Sequence, residues 1–307
     1  ERWKEKNTCA ECGMCSTGNS CNPARQKLRE YGGIRHTSDG FDCALPVTID
    51  SHSVCSFKCM YCFSDNLAQH REQTKRKIGQ TSLKKIEKLF AGEGGKSYDL
   101  YRKALKYDNR NEQGYPCPVQ VGGITDPMDN IERQQGWLKQ LMKLALKYDQ
   151  PLRLSTKGNL AQQQDYLDII AEKPELFWFH FSTIIPDKEK AAKIEKDVPS
   201  PQERLKSMKA LSEVGAWTSL RLRPAIPGVS DSTDAYPDAY KTLIEMAGKA
   251  GANAISYEVM FLDGMPHGDI KRKYEQMEEI TGVPLMDVYD RFGKNQKCTR
   301  PSYKWTE

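Results

Sequence analysis

The chain has 307 residues, and its 46 basic and 41 acidic side chains leave a formal net charge of +5 at pH 7. A hydrophobic share of 38% beside 28% charged residues is that of a globular chain able to bury a large core, which excludes a disordered tail and a collagen-like repeat. No stretch approaches the roughly 18 consecutive apolar residues of a membrane helix, and Glu1-Arg-Trp-Lys-Glu-Lys6 contains no apolar run suited to secretion. The expectation is a cytoplasmic protein without membrane contact.

Ten cysteines are unevenly placed. Cys9, Cys12, Cys15 and Cys21 come first, within a Cys-, Gly- and Asn-rich stretch, residues 1–42, that shows little strand pattern. Four thiolates within thirteen residues suit one [4Fe–4S] cubane, and a structural zinc is the alternative. The stretch reads as a metal-binding extension.

Residues 43–263 alternate short β-rich runs with amphipathic ones. Strands are expected at Ala44–Asp50, Pro118–Gly122, Leu152–Thr156, Phe177–Thr183, Thr218–Arg223 and Ala254–Phe261. Trp137, Leu138, Leu141, Met142, Ala145 and Tyr148 repeat at helical spacing. Ser200-Pro-Gln-Glu203 is a capping box with proline at N1, before Leu205, Met208 and Leu211, and Gly215 is the stop. Another helix is expected from about Pro237 to Ala250, closed by Gly251. Strands separated by crossover helices imply a parallel sheet; periodicity alone leaves open whether it closes. Residues 264–307 form a C-terminal extension of one or two helices and a basic tail.

Cys55-Ser-Phe-Lys-Cys59-Met-Tyr-Cys62, with spacing C-x3-C-x2-C, follows the first of these strands. Three thiolates hold three irons of a cubane and leave the fourth open to a small molecule. A structural zinc would want a fourth ligand.

This loop, with Tyr61 before its last cysteine, resembles the signature of the radical S-adenosylmethionine (SAM) superfamily. Val121-Gly-Gly-Ile-Thr-Asp-Pro127, Leu154-Ser-Thr-Lys-Gly158, Phe181-Ser-Thr183 and Arg221-Leu-Arg-Pro-Ala-Ile-Pro-Gly228 follow in order at successive strand ends. Together they are similar to the spore photoproduct lyase-like branch, over roughly residues 43–262. The resemblance implies an α/β fold, a partial (β/α)6 TIM-like barrel, with its chemistry at the C-terminal strand ends. It also implies a [4Fe–4S] cluster with an open iron on Cys55, Cys59 and Cys62. There SAM is cleaved reductively, and the 5′-deoxyadenosyl radical takes hydrogen from a substrate. Position by position, Gly122 and Gly123 fall on the turn that approaches the SAM amino group, and Thr125 and Asp126 belong to that turn. Lys157 and Ser182 match the residues that hold its carboxylate. Ala225 and Ile226 match the segment against the adenine, and Tyr61 and Arg221 are counted with the cofactor contacts.

One position departs from the branch. Where its repair lyases carry a hydrogen-donating cysteine, this chain has Gly123, and Cys117 lies six residues earlier at the strand's entrance. Hydrogen returned by 5′-deoxyadenosine would suit an isomerisation, and Cys43 or Cys298 folding into the site is the alternative donor. The reading is a radical SAM enzyme rearranging a thymine-derived base or its substituent in DNA or a nucleotide. Photoproduct-type repair, modification of a peptide or small amino acid, and a non-catalytic iron–sulfur or zinc module are the alternatives. An electron donor such as flavodoxin or ferredoxin is implied, and a monomer is expected.

Basic residues gather at Arg71, Lys75, Arg76, Lys77, Lys84, Lys85 and Lys88, and again at Arg291, Lys294, Lys297, Arg300 and Lys304 with Tyr303 and Trp305. They read either as a phosphate-tracking groove or as solvated faces. Arg221 and Arg223 share one strand face. An acidic substrate group and pairing with Glu258 are both open explanations. The five histidines show no ligand spacing and read as packing or surface residues.

Overall fold

A computed structural model describes residues 28–37, 44–66, 78–231, 233, 235–260 and 268–292. Cys9, Cys12, Cys15, Cys21, Cys43 and Cys298 lie outside these residues, as do Arg71 to Lys77 and Lys294 to Trp305.

A seven-stranded sheet organises the chain. In sequence order its strands are β2 (Ile34–His36), β3 (Val47–Ile49), β6 (Val119–Val121), β7 (Leu152–Thr156), β8 (Phe177–Ser182), β10 (Trp217–Ala225) and β11 (Ala254–Val259). Their spatial order is the same, each strand beside its sequence neighbour. From β3 to β11 every pairing is parallel, and β2 closes one edge antiparallel to β3. All six strands expected from the pattern are therefore present, some shorter by a few residues. The fold is mixed α/β with a predominantly parallel sheet.

The remaining strands are short. β1 (Arg29–Tyr31) pairs with β5 (Gly79–Thr81), and β4 (Lys58–Cys59) pairs antiparallel with β9 (Glu195–Lys196). Strands at 29–31 and 34–36 are absent from the sequence reading of residues 1–42. Each has three residues, and none of the six side chains is buried, so neither carries an apolar alternation to read.

Helices connect the parallel strands: α1 (Leu83–Ala91), α2 (Lys96–Ala104), α3 (Asn130–Gln135), α4 (Trp137–Tyr148), α5 (Gln164–Glu172), α6 (Lys188–Ile194), α7 (Pro201–Glu213) and α8 (Ala239–Lys249). α4 spans the expected residues and buries the expected stripe from Trp137 to Ala145, with Tyr148 half-buried at its end. In α7, Ser200 Oγ accepts from Glu203 N at 3.3 Å while Glu203 Oε2 accepts from Ser200 N at 2.7 Å, which completes the capping box. Gly215 and Gly251 both take positive φ, +87° and +85°, just past the ends of α7 and α8. Two further helices, α9 (Gly268–Thr281) and α10 (Leu285–Phe292), form the C-terminal part.

The sheet has two unlike faces. Val47, Ile49, Val119, Val121, Leu152, Leu154, Phe177, Phe179, Phe181 and Leu220 are fully buried in the main core with the helices. Alternate residues on the same strands point the other way, and there they are polar: Gln120, Arg153, Ser155, His180, Ser219 and Arg221. Such one-sided patterning leaves a hydrophilic face free for a ligand. A second apolar cluster joins Phe57, Cys59, Met60 and Tyr61 to Ile184, Ile194 and Ile226, and to Tyr274, Met277 and Leu285 of the C-terminal part.

Candidate active site

The loop after β3 carries the three-cysteine motif, and it is tied down on both sides. Lys58–Cys59 pairs with Glu195–Lys196, and Met60 N donates to Ile194 O at 3.0 Å. Ser56 N donates to Asp129 Oδ2 at 2.6 Å, and Ser56 Oγ accepts from Asn130 N at 2.9 Å. Asp129 also caps α3, accepting from Ile131 N at 3.0 Å and Glu132 N at 3.3 Å. One aspartate thus joins the cysteine loop to the segment after β6.

That segment is organised by two more carboxylates. Asp50, fully buried at the end of β3, accepts through Oδ1 from Gly123 N at 2.9 Å, Ile124 N at 2.7 Å and Thr125 N at 3.2 Å. Its Oδ2 pairs with Arg35. Asp126 accepts from Thr156 Oγ1 at 2.6 Å, Lys157 N at 2.6 Å and Met128 N at 2.9 Å, fixing the turn against the end of β7. Burial raises the Asp126 carboxyl above its ordinary value even against these bonds. Gly122 has φ +83°, and a Cβ there would lie 2.7 Å from Ser155 O. Only glycine fits.

A cavity of about 550 Å³ opens at these strand ends, within the roughly 300–1,000 Å³ of small-molecule sites. Cys55, Cys59, Tyr61 and Cys62 line it from the motif loop. Gly122, Gly123, Thr125 and Asp126 line it from the β6 turn, and Lys157, Ser182 and Arg221 from β7, β8 and β10. Of the residues the sequence singles out among those described, Ala225 and Ile226 are fully buried and do not line it. Cys117 packs against the main core before β6 and takes no part in the cavity.

Burial favours the protonated thiol at Cys55 and Cys59. Burial, reinforced by Glu195 and Cys62 against Lys157 and Arg204, pushes Cys59 up to about 12. Burial beside Asp129 and Asp126 raises Cys55 well above its ordinary value. Ligation must therefore displace protons. Among the described residues no three His, Cys, Asp or Glu side chains are grouped to hold a single metal ion. Three thiols that share a loop and a cavity fit a polynuclear cluster, in which each takes a different iron, better than a mononuclear zinc.

Lys157 Nζ lies 5.5 Å from the centre of the Tyr61 ring. Burial alone would lower its pKa, but Cys59, Glu195 and Asp126 around it outweigh burial and hold it above the ordinary value. It is a fixed cation at the cavity wall. Behind it stands an arrangement absent from the sequence reading. Tyr61 Oη donates to Glu195, Glu195 pairs with Arg204, and Arg204 Nη1 donates to Ser182 O at 2.8 Å. Both side chains of the ion pair are 1% exposed. The available signal was Arg204 itself, a charge on the apolar stripe of α7 with Met208 and Leu211.

The polar face continues below. Arg221 Nη1 donates to Ser155 Oγ at 2.7 Å, and Gln120 Nε2 donates to the same oxygen at 3.0 Å. Arg153 bonds His180 Nε2 at 2.8 Å, while Ser219 bonds His180 Nδ1 at 2.6 Å. Burial, with Arg153 and Arg221 close by, lowers His180 to about 3, so it stays neutral. Glu258 pairs with Arg223, not Arg221. Tyr257 points away and is 59% exposed against Tyr240. Lys84, Lys85 and Lys88 lie on the solvent side of α1, where Lys85 pairs with Glu30.

No family model and no curated protein matches the chain. Solved structures do. Spore photoproduct lyase complexed with dinucleoside spore photoproduct aligns with 92% of this chain and 73% of its own, at a TM-score of 0.60 and 16% identity. A mutant of that lyase with bound AdoMet and the same dinucleoside aligns over 87% and 70%, at 0.59 and 15%. Streptococcus suis SuiB bound to precursor peptide SuiA matches more loosely, over 71% of this chain and 40% of its own, with a TM-score of 0.48 and 16% identity. By fold the chain is therefore similar to spore photoproduct lyase, the branch that the strand-end motifs resemble.

Proposed function

We propose that the chain is a radical SAM enzyme that rearranges or isomerises a thymine-derived base, or its substituent, in DNA or a nucleotide. The observation that carries this is the convergence of Cys55, Cys59 and Cys62 with the ends of β6, β7, β8 and β10 on one cavity. When bound, a [4Fe–4S] cluster with an open iron and SAM supply a 5′-deoxyadenosyl radical for hydrogen abstraction. The six parallel strands from β3 to β11 then act as a partial (β/α)6 barrel whose C-terminal end holds the chemistry.

The chain's own groups bind and orient. Cys55, Cys59 and Cys62 are the cluster ligands. Lys157 presents its charge, and Ser182 its hydroxyl, to the SAM carboxylate. The Gly122–Gly123 turn, locked by Asp50, lets backbone approach the amino group closely. Ala225 and Ile226 back the wall on the adenine side. Phe57, Met260 and Tyr274 supply apolar surface that excludes water from a reactive radical.

Rearrangement is favoured over repair by what faces the cavity. Gly123 has no side chain, and a Cβ there would lie 2.7 Å from Arg35 Nη2 and Thr48 Cγ2. Among the described residues no cysteine beyond the three ligands lines the cavity. When bound, the cofactor would then be the source of the returned hydrogen, with Cys43 or Cys298 the alternative. Cys9, Cys12, Cys15 and Cys21 hold a second cubane, with zinc the alternative, and a flavodoxin or ferredoxin supplies electrons to a monomeric cytoplasmic enzyme.

The test uses anaerobically reconstituted, dithionite-reduced protein with SAM and a panel of DNA, thymine nucleotides and peptides, following 5′-deoxyadenosine and product by mass spectrometry. DNA or thymine nucleotides are expected to raise turnover without stoichiometric accumulation of 5′-deoxyadenosine. Stimulation by peptides alone transfers the enzyme to peptide modification. Cleavage that survives alanine at Cys55, Cys59 and Cys62 overturns the radical SAM assignment.

A further inference from the structure

Three polar residues stand in one row across neighbouring strands of the hydrophilic face. Ser182 on β8 is the register partner of Arg221 on β10, which is the register partner of Ser256 on β11. Partners in a parallel ladder point to the same side, about 4.8 Å apart. The ion pair between Arg223 and Glu258, two residues further along β10 and β11, confirms that both strands show these alternate side chains to one face.

The row has unspent donors. Arg221 Nε and Ser256 Oγ are both buried without a hydrogen-bond partner. Leaving a buried polar group unpaired is costly, more so when it is charged. Among the described residues no carboxylate pairs with Arg221; Glu258, the nearest candidate by sequence, is taken by Arg223. Burial first, then Arg223 and Arg153, lowers Arg221 to about 10, the direction expected of a guanidinium among like charges and without a counter-ion. Ser155 on β7, which accepts from both Gln120 and Arg221, holds the guanidinium in place at the cavity wall that both residues line.

We infer that Arg221, which lines the cavity, is an oxyanion subsite that receives an acidic group of the substrate, a carboxylate or a phosphate. This rests on the radical SAM reading of the cavity and deepens it: the substrate is anionic close to the carbon that loses hydrogen. Oxygens of such a group accept charge-assisted bonds from the guanidinium. Lys157 is a separate cation, against Tyr61 on the cysteine-loop side. The cavity wall thus carries two distinct cationic positions, one for the cofactor's carboxylate and one for the substrate.

The experiment is calorimetric titration of the cluster-loaded, SAM-bound enzyme at fixed ionic strength with thymidine 5′-monophosphate, thymidine and inorganic phosphate. The monophosphate is expected to bind at least tenfold more tightly than thymidine. Arg221→Gln erases that margin, and Arg221→Lys, which keeps the charge, retains part of it. An unchanged margin in Arg221→Gln overturns the subsite. A fall in SAM affinity of Arg221→Gln as large as its loss of monophosphate binding assigns the guanidinium to the cofactor's carboxylate and also overturns it. Inorganic phosphate separates the two readings. Phosphate bound by the wild type and not by Arg221→Gln, with neither thymidine nor its monophosphate bound, sustains the subsite and removes the thymine assignment. Phosphate bound by neither protein removes the subsite.

Discussion

A carboxylate at the end of a strand, Asp50, shapes a turn more than seventy positions away, where its Oδ1 accepts three consecutive backbone N–H groups. Ionised acceptors make hydrogen bonds roughly twice as strong as neutral ones. Asp50→Asn keeps the shape and removes the charge, so amide exchange at Gly123, Ile124 and Thr125 is expected to rise roughly tenfold, about 1.4 kcal/mol. Hydrogen-exchange mass spectrometry reads this, with amides of α4 as the unchanged reference. Glu132 makes a second case. It is 1% exposed, accepts from Tyr166 Oη at 2.6 Å and Leu138 N at 2.9 Å, and burial raises it from 4.5 to about 7. The folded form binds this proton more tightly than the unfolded form does. The stabilisation is therefore complete below pH 4.5 and is lost as pH rises through about 7. At about 1.4 kcal/mol per unit the loss approaches about 3 kcal/mol. Glu132→Gln is expected to flatten this decline in denaturant midpoints measured from pH 4.5 to 8, and an unchanged slope refutes the attribution.

Elements carry the next level, and here the sequence reading succeeds and fails for physical reasons. α4 and α7 are legible because stripe, cap and stop all agree locally. The parallel strands β3, β6, β7, β8 and β10 are legible because each buries apolar residues in the main core; β11 buries none. The strand Ile34–His36 is not, since its pairing comes from β3 and no side chain in it is buried. Within the site, the cysteines and strand-end motifs are legible as local patterns. Asp50, Asp129 and the Tyr61–Glu195–Arg204 chain are not, because their partners are remote in sequence. A lone Asp at a strand end looks like any turn residue until Gly123 is brought to it. Asp129 makes the cost of that blindness measurable. Asp129→Ala removes a helix cap, worth about 1 kcal/mol, and also the acceptor for Ser56 N on the cysteine loop. Ser200→Ala removes a comparable cap on α7, away from the cysteines. Both variants should lose similar stability, but only Asp129→Ala should retain less iron per chain after desalting. Equal iron in the two would show that the cysteine loop does not depend on that bond.

At the scale of the whole molecule, the two apolar clusters divide the work. The larger lies between sheet and helices and secures the fold. The smaller seats the cysteine loop against residues of the C-terminal helices. Iron content follows from this division. On the proposed reading, Cys55, Cys59 and Cys62, which open into one cavity, account for one cubane, about four irons. Cys117, the remaining cysteine among those described, packs at the main core without a second thiol beside it in the cluster. Iron beyond about four per chain therefore has to be held by cysteines outside the described residues, and four of those fall within thirteen positions, Cys9 to Cys21. The full reconstituted chain is expected to hold about eight irons and eight sulfides. Joint replacement of Cys9 and Cys12 by alanine should return the count to about four while SAM-dependent 5′-deoxyadenosine formation with dithionite persists, because a chemical reductant bypasses any relay. A wild-type count near four together with one equivalent of zinc assigns the N-terminal thiols to a structural zinc. Loss of all iron in the double variant would mean that the two cysteine groups are not independent.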